Sequence, residues 1–314
     1  PLMQHLHTSR VLPQEIDGLG HMNVRYYLAR METANRTLID GLHLDAEALG
    51  TDFLRRVDTY TRFKREQFEG ATLHTLGAVI EINERGIQSY VEVRNPDTQE
   101  TAATFILTTA LTDQSTRKNL PFPQAAYRQE KSSKASIPSY AQPRSLTLDT
   151  LNTHVTLSEL EACIPQINTG GMMSGQLETL VEETDTDVDG WLREDLELMF
   201  LPFAKMAQNN SDAQGPPVFH TADGRRVGWA VMESRTHLFG LPRLGQTLAY
   251  FSADLRVDTK SRLSRRWAFA RDSQQLLGIS DTVGVCVDLD ARRAIAWPDE
   301  LRQQIEQNQQ PQLA

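Results

Sequence analysis

The chain has 314 residues and a formal net charge of −9, with 32 lysines and arginines against 41 aspartates and glutamates. At about 150 residues per domain, this length predicts two domains. The acidic balance argues against a general binder of nucleic acid or of anionic membranes, because both need a dominant basic surface. An anionic small molecule stays possible, since a local basic patch acts within a screening length of about 8 Å.

Several other classes of protein are disfavoured by missing sequence patterns. No apolar run reaches the ~20 residues of a membrane helix, and no basic stretch followed by an apolar core opens the chain, so we expect no secretory signal. Cys163 and Cys286 lack CxxC spacing, which predicts two packed thiols in a reducing cytoplasm and no metal site. Gly18-Leu19-Gly20 lacks the third glycine of a dinucleotide fingerprint. We therefore expect a cytoplasmic protein without a bound metal.

An amphipathic helix is predicted over residues 24–40. Its apolar positions recur at spacings of four, three and four and so share one face: Tyr27, Met31, Ala34 and Leu38. Asn23 is suited to cap the start of this helix, and Gly41 is suited to end it.

After the helix, the apolar period changes to two, which predicts long antiparallel strands. The alternating positions fall in three stretches: Leu76 to Ile82, Val91 to Val93, and Ala103 to Leu111. Residues that favour tight turns separate these stretches, at Glu69-Gly70, Arg85-Gly86 and Asn95-Pro96-Asp97. The first half therefore predicts one central helix followed by an antiparallel meander.

The second half of the chain resembles the first at a fixed offset of 175 residues. Eight identities carry the match: Gly70 and Gly245, Thr72 and Thr247, Leu73 and Leu248, Ala78 and Ala253, Ser89 and Ser264, Asp113 and Asp288, Arg117 and Arg292, and Pro123 and Pro298. The helix keeps the offset, since Ala29-Arg30-Met31 corresponds to Ala204-Lys205-Met206 and Asn35 to Asn210. We predict an internal duplication, with domains at 1–126 and 146–314 joined by a polar linker at 127–145.

Residues 15–28 form the most specific pattern in the sequence, because Asp17 lies in a glycine-rich loop that leads into the predicted helix. The first N–H groups of a helix have no partner within it and carry the positive end of its dipole, so they can bind a developing oxyanion. A carboxylate beside them can attack a carbonyl or take a proton from water. Gly20 allows close approach of the backbone, and His21 and Asn23 could orient the loop or a substrate carbonyl.

The run Asp17-x-x-Gly20-His21-Met22-Asn23 resembles the signature of the 4-hydroxybenzoyl-CoA thioesterase branch of the hotdog superfamily. The resemblance implies an α+β fold of two tandem hotdog units, each a curved antiparallel sheet around a long central helix, that form a pseudo-dimer in one chain. It implies hydrolysis of an acyl-CoA thioester, with Asp17 as nucleophile or general base. The amide of Val24, alone or with Arg25, would form the oxyanion hole. Coenzyme A is then part of the substrate, and no other cofactor is expected.

Five further residues are candidate substrate contacts with an equally simple structural explanation. Tyr26 and Tyr27 could touch the substrate or pack on the helix face. Arg62, Lys64 and Arg65 lie on a predicted strand and could bind the phosphates of coenzyme A, although a solvated strand face explains them as well.

The second half departs from this pattern at the corresponding loop. Asp187-Val188-Asp189-Gly190 resembles Glu15-Ile16-Asp17-Gly18 at an offset of 172, with three residues inserted before the helix and no Gly-His-Met-Asn. We therefore predict one working site at Asp17 and a degenerate second unit, with Asp189 as the candidate for a second site. The alternatives are an acyl-carrier-protein thioesterase, a hotdog hydratase and a non-catalytic acyl-CoA-binding protein. No nucleic-acid or membrane partner is expected, and the double unit could form a homo-oligomer.

Overall fold

The computed structural model describes residues 3–127, 136–149, 151, 153–165, 175–193, 196–202, 204–205 and 218–314. The chain divides into two compact units, Pro1–Arg144 and Ser145–Ala314. Each unit is built on an antiparallel sheet. None of the helices that the structure describes has the length and apolar character needed to span a bilayer.

The first unit has one long helix against a sheet of five long strands. Its helices are α1 (Val24–Asp40) and α2 (Ala46–Leu49). Its strands are β1 (Gln4–Arg10), β2 (Phe53–Phe63), β3 (Thr72–Asn83), β4 (Gly86–Asn95), β5 (Glu100–Thr112) and β6 (Asn119–Leu120). The antiparallel order is β1-β3-β4-β5-β2, and β6 pairs with β5.

The predicted helix over residues 24–40 is confirmed with the same bounds. The four apolar residues of its predicted face are buried in one core with residues of β3, β4 and β5. Asn23 caps the start of α1, because its side chain accepts a hydrogen bond from the Arg25 amide at 3.1 Å. Gly41 follows the last turn with a φ of −67°, so it ends the helix in the right-handed region rather than the left-handed one.

The strand alternation is confirmed in β5, but β3 differs in which side chains face the helix. Phe105 and Leu107 of β5 pack in the α1 core. In β3 the odd-numbered positions face α1: Leu73 is buried in the same core, and an added Cβ at Gly77 would lie 2.9 Å from Leu38 Cδ1. The alternating apolar set from Leu76 onward therefore lies on the opposite face, and a bulge between Val79 and Glu81 changes the phase further along.

The second unit has the same order of sheet strands. Its strands are β7 (Gly175–Leu180), β8 (Phe219–His220), β9 (Arg226–Leu238), β10 (Thr247–Val257), β11 (Ser261–Ala270), β12 (Gln275–Asp288) and β13 (Arg293–Ala294). Its helices include α3 (Leu157–Cys163) and α4 (Asp299–Asn308). The order β7-β10-β11-β12-β9 matches that of the first unit, with β8 on β9 and β13 on β12.

The turns between the sheet strands also correspond in the two units. Gln99 and Gln274 have φ values of 58° and 55°, and Arg117 and Arg292 have φ values of 54° and 48°. The two members of each pair are 175 residues apart, which is the predicted offset. The predicted second central helix cannot be compared in the same way, because Met206 and Asn210 lie outside the described residues.

The two cysteines differ in their surroundings, which gives a testable difference in reactivity. Cys286 on β12 is buried, and burial raises the pKa of its thiol to about 11. Cys163 on α3 is half-buried, and neither thiol is in a disulfide. Because the thiolate is the reactive form, we expect one thiol to react quickly with an aromatic disulfide reagent at pH 8 in the folded chain, and two after unfolding. Two fast thiols in the folded chain would contradict this assignment.

Candidate active site

The candidate site is the loop of residues 16–23, which enters α1. A β-bridge between Ile16 and Met22 closes its two ends. Within it, the Asp17 amide donates to the His21 carbonyl at 2.9 Å, and the Gly20 amide donates to the Asp17 carbonyl at 2.9 Å. Gly20 has a φ of 81°, a conformation that favours glycine. The predicted glycine-rich loop is thus a tight turn that brings Asp17 and His21 together.

The Asp17 carboxylate is 10% exposed and has two unequal oxygens. Oδ1 accepts a hydrogen bond from the Leu19 amide at 2.9 Å. Oδ2 has longer contacts, 3.5 Å to Asn23 Nδ2 and 3.7 Å to His21 Nδ1. Oδ2 is therefore the oxygen better placed to reach a water molecule or a substrate.

The start of α1 leaves one amide suited to bind an oxyanion. Asn23 occupies the next two amides: its side chain accepts from Arg25, and its carbonyl accepts from Tyr26 at 3.0 Å. The Val24 amide, at the first helical position, has no acceptor within the helix, and Val24 is 37% exposed. The alternative in which the Arg25 amide also binds the oxyanion therefore conflicts with the capping geometry.

Glu66 adds a second carboxylate to the site, and the sequence interpretation missed it. Its Oε1 lies 3.5 Å from His21 Nε2, on the other side of the ring from Asp17. The imidazole of His21 thus lies between two carboxylates. The backbone brings Glu66 here, because the Met22 amide donates to the carbonyl of the next residue, Gln67, at 2.7 Å. No local sequence pattern records this long-range contact.

Both predicted tyrosines are engaged within the first unit. Tyr27 is buried, stacks edge-on against Phe63 at 5.6 Å and donates to the Arg65 carbonyl at 3.1 Å. Burial, and then the Glu66 carboxylate, raise the pKa of Tyr27 well above its ordinary value. These contacts make Tyr27 a packing residue beside the site.

Tyr26 and Arg25 form a pair at the mouth of the loop. The Tyr26 hydroxyl donates to the Gln14 carbonyl at 3.0 Å, and the Arg25 guanidinium lies 4.6 Å from the centre of the Tyr26 ring. Arg25 itself is exposed. It is therefore a cation beside the loop that could meet an anionic part of a ligand.

The predicted linker is in part a packed segment of the first unit. Residues 128–135 lie outside the described residues, and we call residues 136–144 the strap. Within the strap, the Tyr140 hydroxyl donates at 2.7 Å to the carboxylate of Glu92, which is fully buried on β4. The part of the predicted linker that forms the strap is therefore held on β4, because Tyr140 supplies one of the donors to this buried carboxylate.

Carbonyls of the strap also bind two of the cations predicted to bind coenzyme A phosphates. Arg62 donates to the carbonyls of Tyr140 and Gln142 at 2.9 and 3.1 Å. Lys64 Nζ lies 3.5 Å from the same Tyr140 oxygen and 4.7 Å from the centre of its ring. Burial and the neighbouring Arg62 lower the pKa of Lys64. Both cations thus already have partners in the first unit.

The second unit contains a loop with the same backbone hydrogen bonds as the candidate site. The Asp187 amide donates to the Trp191 carbonyl at 2.8 Å, and the Gly190 amide donates to the Asp187 carbonyl at 3.0 Å. Gly190 has a φ of 76°, close to that of Gly20. These bonds match the first loop at an offset of 170, so Asp187 corresponds to Asp17.

The predicted correspondence of Asp189 with Asp17 is therefore wrong. The letters Asp-x-Asp-Gly match at an offset of 172, but the left-handed glycine fixes the turn and places Asp189 at the position of Leu19. Because the strands that follow the loop match at an offset of 175, as β4 and β11 do, the insertion after this loop has five residues rather than three. Trp191 takes the place of His21, and Arg193 takes that of Asn23. The second loop thus keeps its carboxylate and lacks the imidazole and the amide.

Comparison with protein families identifies the segment that contains the site. Residues 11–129 match the model of the Thioesterase-like superfamily. The match confirms the predicted enzyme class, a thioester hydrolase, at the level of the superfamily, and does not single out the 4-hydroxybenzoyl-CoA branch. No curated protein sequence matches the chain.

Solved structures resemble the chain over most of its length. A 12:0-ACP thioesterase from Umbellularia californica has a TM-score of 0.59 and 10% identity, covering 88% of this chain and 92% of its own. A candidate oleoyl thioesterase from Lactobacillus plantarum has a TM-score of 0.56 and 12% identity, and the match covers 90% of this chain and 95% of its own. An acyl-ACP thioesterase from Bacteroides thetaiotaomicron has a TM-score of 0.53 and 8% identity, and the match covers 88% of this chain and 96% of its own. At these identities the likeness concerns the fold alone, which is hotdog-like.

Proposed function

We propose that this chain, whose residues 11–129 match the model of the Thioesterase-like superfamily, hydrolyses acyl thioesters to a carboxylic acid and a thiol. The observation that supports this most directly is the position of the Asp17 carboxylate. It lies in a tight turn beside the start of α1, with the His21 ring and then Glu66 next to it. A base, a proton carrier and a helix amide are the groups that acyl transfer to water needs.

In the proposed mechanism, Asp17 Oδ2 takes a proton from water as the water oxygen attacks the thioester carbonyl. Direct attack by the same oxygen, to form an anhydride that water then hydrolyses, is the second route that this geometry allows. In both routes the Val24 amide and the helix dipole stabilise the oxyanion. In the first route, the His21 ring, held between Asp17 and Glu66, receives the proton that Asp17 took from water and passes it to the departing thiolate. In the second route, the thiolate leaves as the anhydride forms and takes its proton from the water that then hydrolyses the anhydride.

We further propose that the second unit is a second hotdog copy without this chemistry. Its sheet order, its turns and its loop repeat those of the first unit. Its loop has Trp191 and Arg193 where the first has His21 and Asn23. An indole does not transfer protons and a guanidinium stays protonated, so the residues at the positions of His21 and Asn23 cannot do in the second loop what His21 is proposed to do in the first.

The proposed substrates are acyl-CoA thioesters, with coenzyme A as part of the substrate and no additional cofactor. Arg62 and Lys64 hold strap carbonyls, so exposed Arg25 is the better candidate for contact with the phosphates. Thioesters of acyl carrier protein are the second candidate, since two similar structures are acyl-ACP thioesterases. Carrier and coenzyme share the phosphopantetheine arm, so one site could accept both.

The test of the function is thiol release from a matched set of thioesters. The set should contain short, medium, long and aromatic acyl groups, each on coenzyme A and on acyl carrier protein. We expect release well above spontaneous hydrolysis for at least one acyl group. Hydration of an enoyl-CoA without thiol release would replace the proposal by a hydratase. Tight binding of acyl-CoA with no turnover would replace it by a binding protein.

A further inference from the structure

Arg30 on α1 uses the whole of its guanidinium group inside the first unit. Its side chain is 7% exposed. Nε donates to Ser9 Oγ at 2.8 Å. Nη1 donates to Glu15 Oε1 and to the Tyr26 carbonyl, both at 3.1 Å. Nη2 donates to Glu15 Oε2 at 2.8 Å and to the Arg10 carbonyl at 3.1 Å. This one side chain thus connects the end of β1, the loop entrance and the first turns of α1.

Glu15, the acidic partner, holds both ends of the candidate loop. Its Oε2 also accepts from the Leu12 amide at 3.1 Å, before the loop begins. Its backbone carbonyl accepts from the Asn23 amide at 2.9 Å, where the loop ends. Glu15 therefore links Arg30, which binds its side chain, to Asn23, which binds its backbone carbonyl. Asn23 caps α1, and its side-chain amide lies 3.5 Å from Asp17 Oδ2.

We infer that the Arg30–Glu15 pair is a positioning device for Asp17. The pair fixes the position of the loop relative to the start of α1, so that the Asp17 carboxylate and the Val24 amide can both reach the same thioester carbonyl. This inference rests on the proposed function. A bidentate ion pair fixes direction as well as distance. This matters because a misplacement of about 1 Å in a reacting group can cost about 10²-fold in rate.

The second unit contains the natural comparison. There Lys205 replaces the arginine, with Nζ 2.5 Å from Asp185 Oδ2 and 2.7 Å from Glu182 Oε2. It also donates to the Leu180 carbonyl at 2.7 Å. An ammonium group binds as a point charge and lacks the rigid fork of a guanidinium. The bidentate guanidinium pair thus occurs in the unit whose loop has His21 and Asn23, and the ammonium contacts occur in the unit whose loop has Trp191 and Arg193 at those positions.

The test compares Arg30→Lys with a matched control, Arg265→Lys, in the full chain. Arg265 forms a similarly buried bidentate pair with Asp281, at 2.6 and 2.9 Å, remote in sequence from the loop. The side chains of that pair are 10% and 8% exposed, against 7% and 11% for Arg30 and Glu15. We expect Arg30→Lys to lower kcat by about 10- to 100-fold with KM changed less than about threefold. Arg265→Lys should leave kcat within about twofold.

A second measurement decides the inference without activity. Hydrogen exchange in a peptide covering residues 17–23 should be faster in Arg30→Lys than in the wild type, and unchanged in Arg265→Lys. If Arg30→Lys does not fold, Glu15→Gln gives the same comparison, because it keeps the side-chain shape and removes the charge. Unchanged kcat and exchange in the folded variant, or equal losses in both lysine variants, would overturn the inference. If the wild type cleaves no thioester, the proposed function fails, and the exchange result still decides the positioning role.

Discussion

Replacement of Asp17 by asparagine is expected to lower kcat for thioester hydrolysis by about 10²- to 10⁴-fold, with little change in KM. The amide keeps an acceptor oxygen for the Leu19 amide, which lies 2.9 Å from Oδ1 in the wild type. It removes the basic oxygen that would take a proton from water or attack the carbonyl. Loss of one such group costs a few kcal/mol of transition-state stabilisation. The measurement is thiol release as a function of substrate concentration.

The matched control is Asp187→Asn, which makes the same chemical change in the corresponding loop. Asp187 Oδ1 accepts from the Asp189 amide at 2.9 Å, as Asp17 Oδ1 accepts from Leu19. We expect this variant to retain kcat within about twofold, since the second loop has Trp191 in place of His21. Full activity of Asp17→Asn would remove Asp17 from the mechanism. A large loss in Asp187→Asn would move the chemistry to the second loop.

Replacement of Gly86 by alanine should lower the free energy of unfolding by about 3 kcal/mol or more. Gly86 opens β4 with a φ of 127°, a conformation that side chains rarely adopt. An added Cβ would also lie 2.1 Å from the Thr109 carbonyl oxygen, which the pairing of β4 with β5 holds in place. Relief of that overlap would require the two strands to separate. Urea unfolding of the full chain, followed by circular dichroism, measures the change.

Gly245→Ala separates the conformational cost from the steric one. Gly245 has a φ of 81°, and an added Cβ there would meet no atom within 4 Å. The Gly245→Ala variant should therefore lose only the free energy of unfolding that backbone strain costs, about 1 kcal/mol. Similar losses for both alanine variants would show that the contact with Thr109 relaxes without cost.

Local sequence patterns predicted the parts of this structure that depend on local interactions. The bounds of α1, its cap at Asn23 and its buried face all follow from side chains that interact within one or two turns. The loop from Asp17 to Asn23 belongs with them, because a left-handed glycine and short backbone hydrogen bonds define it. Alternation predicted that β3 exists but not which face meets α1, because Gly77 makes the close approach.

The remaining parts of the site depend on contacts between distant segments. Glu66 reaches His21 through pairing of the next residue with Met22, and the Arg30 network joins α1 to β1 and to the loop entrance. A single sequence carries no signal for such pairs, since their spacing depends on how strands and helix pack. The misassigned Asp189 has a related cause: backbone conformation at Gly190, rather than letter identity, decides which carboxylate occupies the turn.

The strap changes where the first unit can be cut. A chain ending at residue 126, the predicted domain boundary, would lose Tyr140 and leave the fully buried Glu92 carboxylate with one donor fewer. It would also remove the two carbonyls that accept from Arg62. The carboxylate would keep Tyr90 and Arg94 as partners, but loss of a hydrogen bond by a buried polar group lowers the free energy of unfolding. A shortened chain meant to carry the first unit by itself should therefore end after Arg144.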